Sequence, residues 1–174
     1  SRLSDNDVFH LPSTLNTTPA KQLASFFKEF KARIVTDDEL ENSYQPLEWY
    51  LTNILSSRAV VAHLNSADAD ASLISNAKYS FLAGMARGFD VSVIMVAPEP
   101  FDKPFDYRGL LQTYRAGSQC VAIVKKWLIP KLAERPVHVH EPEEDATTRL
   151  MRFHIGESTA ENEETSLDQY YIET

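Results

Sequence analysis

Apolar residues recur along this chain in two alternating rhythms. Short continuous runs, bounded by polar or proline-containing breaks, occur at Asp7-Val8-Phe9-His10-Leu11, Arg33-Ile34-Val35-Thr36, Ala59–Leu64 and Val91–Ala97. Between them, apolar residues return every three or four positions. Leu23, Phe26, Phe27 and Phe30 form an i, i+3, i+4, i+7 stripe opposite Lys21, Lys28, Glu29 and Lys31, which predicts an amphipathic helix. Thr18 is suited to cap it, with Pro19 at the first helical position, where the missing N–H costs nothing. A second helix opens at Pro46, with Leu47, Tyr50, Leu51, Ile54 and Leu55 on its inner face, and a third runs from Ser72 through Gly88. Tyr107–Tyr114 and Ser118–Leu128 read as further helical segments, the latter with Val121, Val124 and Leu128 inward. Pro130 and Pro136 bracket its exit, and Pro136-Val137-His138-Val139-His140 alternates like an edge strand.

The strand-like runs are apolar throughout, the mark of strands covered on both faces. Two such runs joined by a helix, as between Ser57 and Arg108, predict a parallel βαβ unit. About five strands with helices between them lead to a doubly wound α/β domain, flavodoxin-like or Rossmann-like, with three layers. The expected strand order is 2-1-3-4-5, with the switch point between the first and third strands. The binding crevice is then expected where Pro12-Ser13-Thr14 and Asn65-Ser66-Ala67-Asp68 leave the sheet.

Composition narrows this picture. The 174 residues suffice for one domain with a real core, and no apolar run approaches the ~18 residues of a membrane span. The opening Ser1-Arg2-Leu3-Ser4-Asp5 lacks a signal-peptide pattern, and its lack of Met reads as a trimmed or processed end. A single cysteine, Cys120, excludes an internal disulfide framework and fits a reducing cytoplasm. It stands among apolar residues and is expected to be buried rather than nucleophilic. The net charge of −8 is unevenly spread, because residues 141–174 carry ten acidic side chains against Arg149 and Arg152. Residues 1–140 are charge-balanced, so an α/β domain over 1–140 is expected to be followed by an acidic extension or linker over 141–174. Neither part has the basic footprint of a nucleic-acid binder.

The central segment resembles a known family. The Ala59–Leu64 strand and polar loop lead to Asn76-Ala77-Lys78-Tyr79, then to Ala83-Gly84-Met85-Ala86 within the helix. The Val91–Ala97 strand and Pro104-Phe105-Asp106-Tyr107-Arg108-Gly109-Leu110 follow. This order is similar to the nucleoside 2-deoxyribosyltransferase-like group, which is related to TIR domains, over roughly residues 57–115. In that group a Glu before the Leu-Gly-x-Ala segment attacks or stabilises the anomeric carbon of a ribose or deoxyribose. The corresponding position here is Leu82, which can do neither, and Ser80 and Phe81 offer no carboxylate. The resemblance therefore implies a degenerate member without a catalytic residue, acting as a nucleotide-sensing or protein-interaction module. An active nucleoside or NAD glycosidase or transferase using Asp68 or Asp70, and a structural oligomerisation domain, stand as alternatives. The tail from Ile155 to Thr174 also looks like a segment preceding the nucleotide-binding core of some bacterial P-loop ATPases. That implies an N-terminal domain of a larger protein, although a solvated acidic tail has the same composition.

Seven residues are candidate ligand contacts: Ser13, Thr14, Asn65, Asp68, Asn76, Asp106 and Arg108. The Asn65–Asp70 loop with Asn76 suits a ribose or a base, and equally a β-to-α turn with a helix cap. Asp106-Tyr107-Arg108 suits a phosphate clamp, or a cap and a surface pair. His138, His140 and Glu141, with His154 distant, have a spacing that metals accept, but no second ligand cluster accompanies them, and no metal or cofactor is expected. Gly84-x-x-x-Gly88 matches a closely packing helix rather than a dinucleotide fingerprint, and no Gly-x-Ser-x-Gly turn is present. The expected partners are a nucleotide or nucleoside, and either a second copy or a missing C-terminal domain, without a membrane. In the tail, Thr148–Ile155 is expected to pack on the domain or a second copy. Glu161–Thr174 is expected to form a short helix with Leu167, Tyr170 and Tyr171 on one face, promoting self-association.

Overall fold

The computed structural model of the protein describes residues 6–37, 45–69, 72–102 and 109–133. Its elements follow the order β1 (Asn6–Leu11), α1 (Thr18–Glu29), β2 (Ile34–Thr36), α2 (Leu47–Leu55), β3 (Ser57–His63), α3 (Ser72–Gly88), β4 (Ser92–Pro98), β5 (Leu111–Tyr114) and α4 (Gly117–Ala133). The strands form one sheet in the order β2-β1-β3-β4-β5. Every neighbouring pair is parallel, with His10 opposite Val61 and Val61 opposite Ile94. The expected α/β class, parallel sheet and strand order are all found.

Strands β1, β3, β4 and β5 bury side chains on both faces, and the edge strand β2 adds partly buried Ile34 and Val35, so the sheet divides the core in two. Phe9, Leu11, Val60, Ala62 and Met95 face α2 and α3 and meet Tyr50, Ile54, Tyr79, Leu82 and Ala83. Val8, Ala59, Val61, Ile94 and Val96 face α1 and α4 and meet Leu23, Phe27, Cys120, Val124 and Leu128. Two helix layers are needed because apolar side chains leave the sheet in both directions, each fully buried one worth about 1.5–3 kcal/mol. Gly117, the first residue of α4, lies against α1. A Cβ there would be 3.0 Å from the Pro19 Cα and would collide with the Gln22 side chain.

Several local expectations need correction. The fifth strand is Leu111–Tyr114, within a stretch expected to be helical. Leu111 and Tyr114 are three apart, which on a helix is one face. On a strand that spacing turns them to opposite faces, and each joins a different half of the core. The expected edge strand at Pro136–His140 lies outside the described residues, as do the 140/141 boundary and the two tail segments. Thr17, not Thr18, caps α1: its Oγ1 accepts from the Ala20 N–H at 3.3 Å. Helix α4 continues through Pro130, because the carbonyl deprived of a donor belongs to Lys126, on the exposed side. Leu47, expected inward, is 50% exposed. Among the described residues no helix is long and apolar enough to cross a membrane.

Candidate functional site

Strand β1 ends at Leu11, and the chain turns through Pro12-Ser13-Thr14 toward α1 at the carboxyl edge of the sheet. Beside it, β3 ends and Asn65 follows, 2% exposed. The Asn65 side chain joins the two loops. Its Oδ1 accepts from the Ser13 hydroxyl at 2.6 Å and from the Thr14 N–H at 3.1 Å, while its Nδ2 donates to Thr14 Oγ1 at 2.6 Å. The Asn65 backbone is held in turn by α3: its N–H donates to Asn76 Oδ1 at 2.8 Å, and Asn76 Nδ2 donates to its carbonyl at 3.1 Å.

Four of the expected site residues, Ser13, Thr14, Asn65 and Asn76, are thus brought together. They bind one another, however. With two donors on its Oδ1, Asn65 is a clamp between the first and third βα loops, and Asn76 anchors that clamp to α3. Asp68 is exposed on the loop and is not part of the cluster. Asp70, Asp106 and Arg108 lie outside the described residues, as do His138, His140, Glu141 and His154. Among the described residues no group of three or more metal-ligating side chains occurs.

The crevice itself lies on the β2 side of β1. A cavity of about 580 Å³ is lined by His10, Ser13, Thr14, Phe27, Lys28, Thr36, Asp37 and Tyr79, with Ala24, Phe30, Ala32 and Ile34 completing its apolar wall. Of the expected contacts among the described residues, only Ser13 and Thr14 line it. Asn65, Asp68 and Asn76 do not, because the Asn65 clamp closes the β1–β3 gap and leaves the opening between β1, α1 and β2.

Asp37, immediately after β2, is 2% exposed. Its backbone N–H donates to the His10 carbonyl at 2.9 Å. Both carboxylate oxygens accept from the Tyr50 hydroxyl at 3.1 Å, and Oδ2 pairs with Lys78 Nζ at 3.1 Å. Burial, first of all, raises the Tyr50 phenol above its ordinary range, so it keeps its proton and acts as donor. The Lys78 ammonium also lies 4.8 Å from the Tyr50 ring centroid. A buried carboxylate is tolerable when a cation and a hydroxyl both meet it.

His10 belongs to the opposite face of β1. Its ring packs on Phe27 with centroids 4.5 Å apart, and its Nε2 is buried without a hydrogen-bond partner among the described residues. Burial, and secondarily the neighbouring His63, lowers its pKa to about 3. His63, at the end of β3, has its Nε2 2.6 Å from the Tyr114 hydroxyl of β5, and burial lowers it to about 4. Tyr114 is driven upward by burial and then by Cys120, so the two form a neutral phenol–imidazole pair. Cys120 is itself buried and pushed up to about 12, which makes it inert as a nucleophile.

Sequence reasoning missed His10, Asp37 and Tyr79 as cavity residues. His10 had a signal, being, like His63, an ionisable side chain inside an otherwise apolar run. Asp37 read only as a strand terminator. Leu82, where the resemblance expects a carboxylate, is 2% exposed and packed in the core between α3 and the sheet. Compared with known proteins, the chain matches no family model and no curated sequence.

Proposed function

We propose that this domain is a non-catalytic sensing module of nucleoside 2-deoxyribosyltransferase-like or TIR-like descent, holding a nucleoside- or nucleotide-sized ligand for a larger ATPase. The observation that carries the reading is the cavity of about 580 Å³ at the carboxyl edge of the parallel sheet. Ligands of α/β sheets bind outside that edge, and pockets of about 300–1,000 Å³ suit small organic molecules. Its walls are aromatic at Phe27, Phe30 and Tyr79, suited to a planar ring, while Ser13, Thr14 and Thr36 carry hydroxyls suited to a sugar. Lys28 is exposed and lines the same cavity, within the chemistry that meets a phosphate.

Two features favour sensing over cleavage. Position 82 is apolar core, and an unpaired carboxylate there would cost several kcal/mol. Asp37, the one carboxylate among the described lining residues, already receives Tyr50 and Lys78, which lowers its nucleophilicity. The test is calorimetric titration with adenosine, deoxyadenosine, ADP and NAD, with chromatography for released base. Binding without release is expected, weakened at least tenfold by Ala24→Phe, which fills the cavity from α1. Absence of binding by all four compounds would sink the sensing reading, and base release would establish the glycosidase alternative.

A further inference from the structure

Helix α3 buries Tyr79, Leu82, Ala83 and Ala86 against the sheet. Its opposite side is unusual for a surface helix, because Ile74, Ala77, Phe81, Gly84 and Gly88 are all exposed and none is charged. Their spacing is three, four, three and four, the a/d rhythm of a helix–helix seam. Ile74 is 76% exposed and Phe81 56% exposed, with Leu73 at 83% beside them. Leu47 of α2 widens the patch across a groove of about 230 Å³ that it lines together with Phe81. At Gly84 and Gly88 an added Cβ would meet nothing within 4 Å, so neither glycine is required by packing among the described residues. Each lowers helix propensity without a packing return among the described residues.

We propose that this face is the contact between two copies of the chain, with the two α3 helices antiparallel about a two-fold axis passing between Phe81 and Gly84. The order of sizes along the seam selects this occupant and direction. Ile74 and Phe81, its two large residues, lie in its amino-terminal half with Ala77 between them, and glycines occupy its carboxyl-terminal half. Antiparallel pairing sets Phe81 of one copy over Gly84 of the other, so the one bulky ring near the axis meets a vacancy. It sets Ala77 over Gly88, where two small residues let the helices approach, while Ile74 passes beyond the end of the partner's helix. Parallel pairing would oppose Phe81 to Phe81 and Gly84 to Gly84, leaving a clash beside a void. An isologous contact of this kind also closes on itself and stops at two. At these exposures each copy offers on the order of 500 Å² of apolar surface, near the upper range for a monomer's largest patch. Two copies together then bury about 1,000 Å², the threshold for a specific though weak interface.

Sedimentation velocity of the full chain over micromolar to millimolar concentration tests this contact. The expected mass rises from 19.7 kDa toward twice that value. Gly84→Gln fills the vacancy that receives Phe81 while favouring the helix, so this variant should stay at the monomer mass and, at dilutions where the parent is monomeric, melt no lower than the parent. For direction, an oxidised mixture of Ala77→Cys and Gly88→Cys chains should form mixed disulfide dimers, with neither chain alone doing so. A parent that remains monomeric throughout, a dimer that Gly84→Gln leaves intact, or self-crosslinking of Ala77→Cys would each overturn the proposal. So would flotation of a monomeric parent with phosphatidylcholine vesicles that Gly84→Gln abolishes, since the face would then belong to a lipid surface.

Discussion

Acidification from pH 7.5 to pH 5 should weaken the fold through two buried histidines. In the unfolded chain an imidazole titrates near 6.5, whereas in the fold His10 is lowered to about 3 and His63 to about 4. Both folded rings stay neutral through this window while both unfolded rings take up a proton. The unfolded state thus binds more protons, and stability present above pH 6.5 is lost as the pH falls. Each ring contributes about 2 kcal/mol of loss by pH 5, at 1.36 kcal/mol per pH unit over about 1.5 units. The pair together loses about 4 kcal/mol, a large part of the 5–15 kcal/mol typical of a domain. Carboxylates titrate mainly below this window. Urea unfolding at pH 7.5, 6 and 5 reads the effect directly. With a slope of about 2 kcal/mol per molar, the midpoint should fall by about 2 M. His10→Leu removes one of the two rings and should halve the fall, while contributions from His138, His140 and His154 cancel in the comparison. A midpoint that does not move between pH 7.5 and 5, or a His10→Leu variant with the parent's full pH dependence, would refute the reasoning.

Two further outcomes are expected. Asn65→Ala removes three side-chain hydrogen bonds that join the first and third βα loops and should cost about 2–3 kcal/mol in urea unfolding, with faster hydrogen exchange at the Thr14 amide; an unchanged midpoint would show that the clamp is not what holds the loops. Cys120, fully buried and shifted to about 12, should resist a thiol reagent in the folded protein and react only on the timescale of unfolding, whereas labelling within seconds at pH 7.5 would contradict its burial.

The sequence by itself determined the first four strands, the helices that follow them and the two-sided character of the sheet, but not the fifth strand. Those features depend on local periodicity: Leu23, Phe26, Phe27 and Phe30 can share a face only on a helix, and Val91–Ala97 can be apolar throughout only if helices cover both sides. Right-handed crossovers fix the face on which each helix lies, while the 2-1-3-4-5 order is one of the two common doubly wound orders and is decided by the strand pairing. Ser13 and Thr14 were legible as cavity residues for a related reason, since the loop after the first strand always emerges at the carboxyl edge.

Tertiary structure alone decided what lies between elements. Leu111 and Tyr114 have a spacing that fits a helix face or two faces of a strand, and only pairing with β4 selects the strand. Asn65 and Asn76 were plausible ligand contacts until the fold turned them inward, the Asn65 side chain onto the Ser13–Thr14 loop 51–52 positions away in sequence and the Asn76 side chain onto the Asn65 backbone. His10, Asp37 and Tyr79 meet at one cavity although they come from β1, the end of β2 and α3. Hydrogen-bond valence and empty volume are properties of residues far apart in the chain, and no window of sequence contains them.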